Sequence, residues 1–197
     1  MIEKEKPVNP RVAVFTGMFD PMTLGHLDVI KRGRLLFDKL IVGIGNNPNK
    51  QAMFSVDERV KLACEIVSPF ENVSVEAFEG LAVHYVRSIG AGVILRGVRT
   101  LSDMEYEFAM SLTNARLDPR IETVFLMADG EYSHVSSSLI RQIASLGGGD
   151  SLNLFVPPEC IGPILEKSGN YGLNSIENTK NSATFRADAE NRLKENQ

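Results

Sequence analysis

Five short apolar runs alternate along the chain with segments in which apolar residues recur every three or four positions. The runs Arg11 to Phe15, Lys39 to Ile44, Val73 to Phe78, Gly92 to Leu95 and Thr123 to Met127 are mostly too continuous for a sheet with one wet face, and read as strands buried on both sides. Between them, Val29, Ile30, Gly33, Leu36 and Phe37 mark one helix face with His26 at its start. Val56, Val60, Ala63, Ile66 and Val67 mark a second, and Ala82, Tyr85, Val86 and Ile89 a third. Ser55-Val-Asp-Glu58 and Ser102-Asp-Met-Glu105 are capping-box patterns, the latter opening a helix that runs to about Arg116. A polar loop after Met127 leads into Ser136-Ser-Ser-Leu-Ile-Arg141 and a helix ending near Gly147-Gly-Gly. Pro157-Pro-Glu then starts a last short helix, Cys160 to Lys167. Regular alternation of strand and helix predicts an α/β protein on a single doubly wound parallel five-stranded sheet.

The pattern covers residues 11–167 as one domain after an N-terminal extension, 1–10. Past Ser168 large apolar residues become rare and Asn, Glu, Lys and Arg accumulate, so 168–197 reads as a mobile or loosely docked tail, able to form a helix over Ala183 to Lys194. With 197 residues, 43% of them hydrophobic, one core suffices. A net charge of -4 supplies no basic field for nonspecific nucleic-acid binding. No apolar run approaches the roughly 20 residues that span a bilayer, and Met1-Ile-Glu-Lys-Glu-Lys lacks an apolar signal core, so a soluble, cytoplasmic protein is expected. Cys64 and Cys160 have no partner spacing and read as reduced thiols packed as small hydrophobes.

Candidate chemistry gathers just after the strands, where open α/β sheets bind ligands. The stretch Thr16-Gly-Met-Phe-Asp-Pro-Met-Thr-Leu-Gly-His26 packs a strand end, a tight turn, a helix start and a histidine together, which suits an anion: unpaired N–H groups of a first helical turn carry partial positive charge. A lone histidine on a helix face is ordinarily structural; beside Gly25 at a helix start it becomes a phosphate contact. Lys50 follows the second strand, Arg96 and Arg99 the fourth, and Ser136 to Ser138 the fifth. Guanidinium forks bind phosphate bidentately, while the serines also suit a plain helix cap and Lys50 a plain surface loop. Walker-type P-loop, Gly-x-Gly-x-x-Gly, Gly-x-Ser-x-Gly and metal-ligand motifs are missing from the sequence. A positive site without a nucleophile beside a base suits phosphoryl or nucleotidyl transfer by positioning and electrostatics.

Thr16 to His26 resembles the nucleotidyltransferase version of the HxGH motif, with Thr23 at its first position, and Val135-Ser-Ser-Ser-Leu-Ile-Arg141 resembles the superfamily's second phosphate-binding motif. The loop ending in Lys50, Met53-Phe-Ser-Val-Asp-Glu-Arg59, Leu95-Arg-Gly-Val-Arg99, Asp103-Met-Glu-Tyr-Glu107 and Val124-Phe-Leu-Met127 are similar, in order and spacing, to phosphopantetheine adenylyltransferases. The resemblance implies a Rossmann-like nucleotidyltransferase fold and transfer of AMP from ATP, accompanied by magnesium (Mg2+), to 4'-phosphopantetheine, with a homohexameric assembly. It implies catalytic roles for His26, Lys50 and Arg99. ATP contacts would be Met18, Phe19, His26, Gly97, Val98, Arg99, Glu107, Tyr132, Ser133, His134, Val135, Ser136, Ser137 and Ser138. Acceptor contacts would be Met18, Lys50, Ala82 and Arg96, with no resident metal ligand. Met18 departs from the hydroxyl residue usual there, and a thioether cannot donate the missing hydrogen bond. Two other readings share the motif: transfer to nicotinamide mononucleotide or glycerol phosphate, and a nucleotide-binding relative that has lost catalysis.

Overall fold

The computed structural model describes residues 7–46 and 51–169. Five strands, β1 (Asn9–Gly17), β2 (Lys39–Gly45), β3 (Val73–Phe78), β4 (Ala91–Val98) and β5 (Glu122–Met127), pair in parallel in the order β3-β2-β1-β4-β5. Parallel neighbours require crossovers, and the helices supply them: α1 (Leu24–Gly33), α2 (Val56–Val67), α3 (Ala82–Ser88) and α4 (Leu101–Leu117). Helices α5 (Ser137–Ser145) and α6 (158–169) follow the last strand. The sequence predicts this doubly wound α/β sheet, and it is the fold observed.

Strand alternation explains why the apolar runs are unbroken. Val14, Ile41 and Ile94, which are in register, meet Val83 and Val86 of α3 on one face of the sheet. Their neighbours Phe15, Leu40, Val42 and Leu95 point the other way, into a larger core with Ile30, Leu62, Ile66, Ile140 and Ile164 from helices α1, α2, α5 and α6. Both faces are dry, so consecutive residues must all be apolar.

Several boundaries differ from expectation. Strand β4 runs on to Val98 rather than stopping at Leu95, because Arg96, Gly97 and Val98 pair with Phe125, Leu126 and Met127; the polar Arg96 hides the strand's continuation in the sequence. Helix α1 stops at Gly33, so Leu36 is exposed and Phe37 reaches the core from the following turn. The buried residues of α3 are Val83 and Val86, and Ile89 is its exposed C-cap. Helix α4 is capped by Thr100, whose hydroxyl accepts the Asp103 N–H, so the cap predicted at Ser102 falls two residues late. Cys160 is buried and its thiol is pushed up to about 12 by desolvation, while Cys64 is exposed instead of packed inside. The tail from Asn170, the first six residues and residues 47–50, including Lys50, lie outside the described residues.

Candidate active site

The sheet order reverses between β1 and β4, since β1 leads outward to β2 and β3 on one side while β4 and β5 lie on the other. Strands part there at their carboxyl ends and leave a crevice. A cavity of about 570 Å³ opens at this point. The exits of β1 (Thr16 to Asp20), β2 (Gly45, Asn46), β3 (Phe78, Gly80, Leu81), β4 (Arg96, Gly97, Arg99) and β5 (Ala128) all contribute to its wall.

The β1 exit is the most tightly specified part. Phe19 is a non-glycine residue in the left-handed region, φ 50°, a conformation that persists only where surroundings enforce it. Its ring lies edge-on to Phe15 at 5.2 Å and to His26 at 5.1 Å. A Cβ at position 17 would come within 3.0 Å of that ring, which explains Gly17. The Asp20–Pro21 peptide is cis. Asp20 is buried and accepts the Met53 and Phe54 N–H groups, each at 2.9 Å, and faces Arg141 Nη1 at 3.4 Å. Arg141 also donates to the Asp20 carbonyl at 2.5 Å. Arg59, buried at 2% exposure, donates to the carbonyls of Met18, Gly45, Phe54 and Ser55.

His26 stands at the third position of α1, with Thr23 as N-cap. The Thr23 N–H donates to His26 Nδ1 at 3.0 Å, and the Thr23 hydroxyl lies 3.1 Å from the same nitrogen. An accepting Nδ1 carries no proton, so the neutral ring holds its hydrogen on Nε2. Desolvation, then the charges of Arg99 and Arg96, lower the imidazole from 6.5 to about 4. At neutral pH His26 is therefore an uncharged donor beside two cations.

Arg96 and Arg99 sit across the cavity, each matched by a carboxylate of α4. Arg96 makes a forked ion pair with Glu107, at 2.7 Å through Nε and 2.5 Å through Nη2, and donates to the Thr16 hydroxyl at 3.0 Å and to the Thr16 carbonyl. Arg99 pairs with Asp103 at 2.9 Å and donates to the Val135 carbonyl at 2.7 Å. Ser136 caps α5 by accepting the Leu139 N–H, and Ser137 donates to the Pro21 carbonyl at 2.8 Å. The N–H groups of Ser137 and Ser138 have no acceptor among the described residues, so the α5 N-terminus presents free donors to the cavity.

Of the residues predicted from sequence, Met18, Phe19, His26, Ala82, Arg96, Gly97, Arg99, Glu107, Val135, Ser136, Ser137 and Ser138 line this one cavity. Gly97 allows a close approach, because a Cβ there would lie 2.9 Å from Val29 Cγ2. Four others stand outside the wall. Val98 is wholly buried in the core, Tyr132 packs against it from a short 3-10 turn, Ser133 donates to the Gly130 carbonyl, and His134 is exposed with its ring edge-on to Phe155. The expected contact of Glu107 with ATP meets a different arrangement, its carboxylate being spent on Arg96. Sequence reasoning missed Asp20 and Arg59 as site-builders; both reach partners 14 to 121 residues away in the chain, which no local pattern reveals.

This geometry defines a nucleotidyltransferase. A cytidylyltransferase-like family model matches residues 14–143, and a Vibrio parahaemolyticus structure described as a nicotinate-nucleotide adenylyltransferase shares the fold, with TM-score 0.57 and 19% identity over 78% of this chain and 97% of that one. More specific similarity comes from phosphopantetheine adenylyltransferases. That of Rhodopirellula baltica is 52% identical over 157 residues, covering 79% of this chain and 88% of its own. That of Thermosynechococcus vestitus is 55% identical over 137 residues, 70% and 82%, and that of Caldanaerobacter subterraneus 47% over 157 residues, 80% and 97%. The chain belongs to the phosphopantetheine adenylyltransferase family.

Proposed function

We propose that this protein transfers the adenylyl group of ATP to 4'-phosphopantetheine, releasing pyrophosphate and forming dephospho-coenzyme A. The observation that carries the reading is the convergence of a neutral His26, two arginines and the free N–H groups of α5 on one crevice, in a chain of this family. A phosphate oxygen of the acceptor attacks the ATP α-phosphorus in line; the new P–O bond forms as the bond to the β-phosphate bridging oxygen breaks, and pyrophosphate leaves. The attacking phosphate is already an anion, so no general base is needed. His26 Nε2–H donates to an α-phosphate oxygen as its charge grows, and being uncharged it does so without transferring its proton. Arg96, with Met18, Ala82 and Lys50, receives the acceptor; Arg99, Phe19, Gly97 and the serine turn hold the nucleotide.

Magnesium enters with ATP. The carboxylates on the cavity wall, Asp20, Asp103 and Glu107, are engaged with backbone N–H groups or arginines, and no cluster of three metal-ligating side chains occurs among the described residues. This donor set fits an ion carried by phosphate oxygens rather than a resident cage. No described helix is long and apolar enough to cross a membrane, and a cytoplasmic location forms part of the proposal. So does homohexameric assembly, supported by α4: Leu101, Phe108 and Leu112 are exposed on one side of a helix that has no fully buried residue, a face suited to a second copy.

The decisive assay offers ATP and magnesium with each acceptor and follows pyrophosphate. Release with 4'-phosphopantetheine, and none with nicotinamide mononucleotide or glycerol phosphate, is expected. ATP binding without release under any acceptor would instead identify a nucleotide-binding relative.

A further inference from the structure

We infer that Arg59 is the positioning residue of the nucleotide loop, anchoring the Met18–Phe19 peptide so that the Phe19 N–H is aimed at a phosphate oxygen; the inference rests on the adenylyl-transfer reading above. Arg59 does not line the cavity and is 2% exposed. Its Nη1 donates to the Met18 carbonyl at 2.8 Å and the Gly45 carbonyl at 2.9 Å, and its Nε to the Phe54 and Ser55 carbonyls at 3.2 and 3.3 Å. One guanidinium thus joins the exit of β1, the exit of β2 and the entry to α2.

A buried cation is costly unless its donors are satisfied. Packing alone at this inward position of α2 is met by Leu or Met, and charge alone by Lys; a planar fork is required only if several carbonyls must be held in a fixed relation. The carbonyl that matters is that of Met18. The peptide it belongs to is trans, the cis bond of this loop being Asp20–Pro21, so its oxygen and the Phe19 N–H point in opposite directions. With the oxygen tied to Arg59, the N–H is turned away from the protein interior. No acceptor for it occurs among the described residues, while Phe19 itself lines the cavity. The left-handed φ of Phe19 is held at one end by the ring contacts and at the other by Arg59.

The test begins with the unaltered protein, whose pyrophosphate release with 4'-phosphopantetheine establishes the activity on which the inference depends; failure at that step removes the reading of function. Arg59→Lys and Arg59→Met are then compared with wild type for Tm, steady-state kinetics and hydrogen exchange. In Arg59→Lys, kcat/KM for ATP is expected to fall about 10²-fold through misplacement of the loop, with KM for ATP raised about tenfold and KM for 4'-phosphopantetheine changed by less than about twofold; loss of folded protein would leave both KM values unchanged. In wild type, Mg·ATP is expected to slow exchange of the Phe19 amide, and in Arg59→Lys that protection is lost. A folded Arg59→Lys with near wild-type kcat/KM for ATP overturns the inference. So does a Phe19 amide in wild type that exchanges equally with and without Mg·ATP, a result obtained whether or not either variant folds.

Discussion

The two walls of the cavity are built on different principles. The wall after β1 is assembled from backbone: Asp20 takes two main-chain N–H groups, Arg59 and Arg141 donate to main-chain carbonyls, and His26 is held by the Thr23 N–H. The opposite wall adds ion pairs from side chain to side chain, Arg96 with Glu107 and Arg99 with Asp103, to the hold of the Thr16 and Val135 carbonyls on those arginines, and its carboxylates ride on α4, which has no fully buried residue. In the first wall every partner is fixed; in the second the arginines are anchored and only their carboxylate partners can be exchanged. A rigid wall suits the point where charge builds in the transition state. A wall of paired arginines can trade a carboxylate for an arriving phosphate, keeping its cations neutralised while the site waits.

If that division holds, the largest effect lies at the rigid wall. His26→Ala should lower kcat by about 10² to 10³-fold while ATP binding, measured by calorimetry, stays detectable, because the lost hydrogen bond strengthens in transfer. Near-normal kcat would break the comparison at once. Asp20→Asn should act on stability: an amide offers one acceptor where two N–H groups need two, and leaves Arg141 without its carboxylate. About 3 kcal/mol is expected to vanish from the urea unfolding free energy. A loss below about 1 kcal/mol would show that the wall is held by something else.

These two residues also show how far the sequence could be read. The strands were visible because both sheet faces are dry, and the crevice followed from the polar residues that come just after the strand ends. His26, Arg96, Arg99 and the serine turn were legible for that reason. Asp20 and Arg59 were not, since a buried charged residue and a solvated one look alike until the fold supplies their partners. Helix α4 misled in another way. Thr100-Leu-Ser-Asp103 and Ser102-Asp-Met-Glu105 are both capping frames, and the first prevails because Asp103 also accepts the Arg99 N–H and pairs with its guanidinium, drawing the helix start forward.

Met18 sharpens the contrast from inside the rigid wall. Its carbonyl is anchored by Arg59 and the residue lines the cavity, where a thioether cannot donate to phosphate. Met18→Thr restores a hydroxyl without disturbing the anchored carbonyl, and kcat/KM should rise about tenfold, as one recovered charge-assisted bond allows. No change would mean that the backbone alone serves this position. On the other wall, Glu107→Gln frees Arg96 from its charged partner. Binding of 4'-phosphopantetheine should tighten by a few-fold, about 1 kcal/mol or less for a part-exposed pair. Weaker binding would show that Glu107 orients Arg96 more than it competes for it.

The smallest expected effect is a flat line. An unperturbed histidine titrates near 6.5, but desolvation and the two arginines hold His26 at about 4. The ring is neutral from pH 6 upward, so log kcat should show no histidine inflection between about pH 6 and 8. Stability follows the same logic with a definite sign. Between about 6.5 and 4 the unfolded chain binds a proton at this position that the folded protein refuses, so His26 lowers stability as pH falls through that window and contributes no slope above it. His26→Gln removes the titrating group; if stability is measured by urea unfolding from pH 7 to 4.5, wild type should lose more than the variant. An inflection near 6.5 in kcat that His26→Gln abolishes, or identical acid stability profiles for the two proteins, would mean that the ring is as free to ionise as one in water.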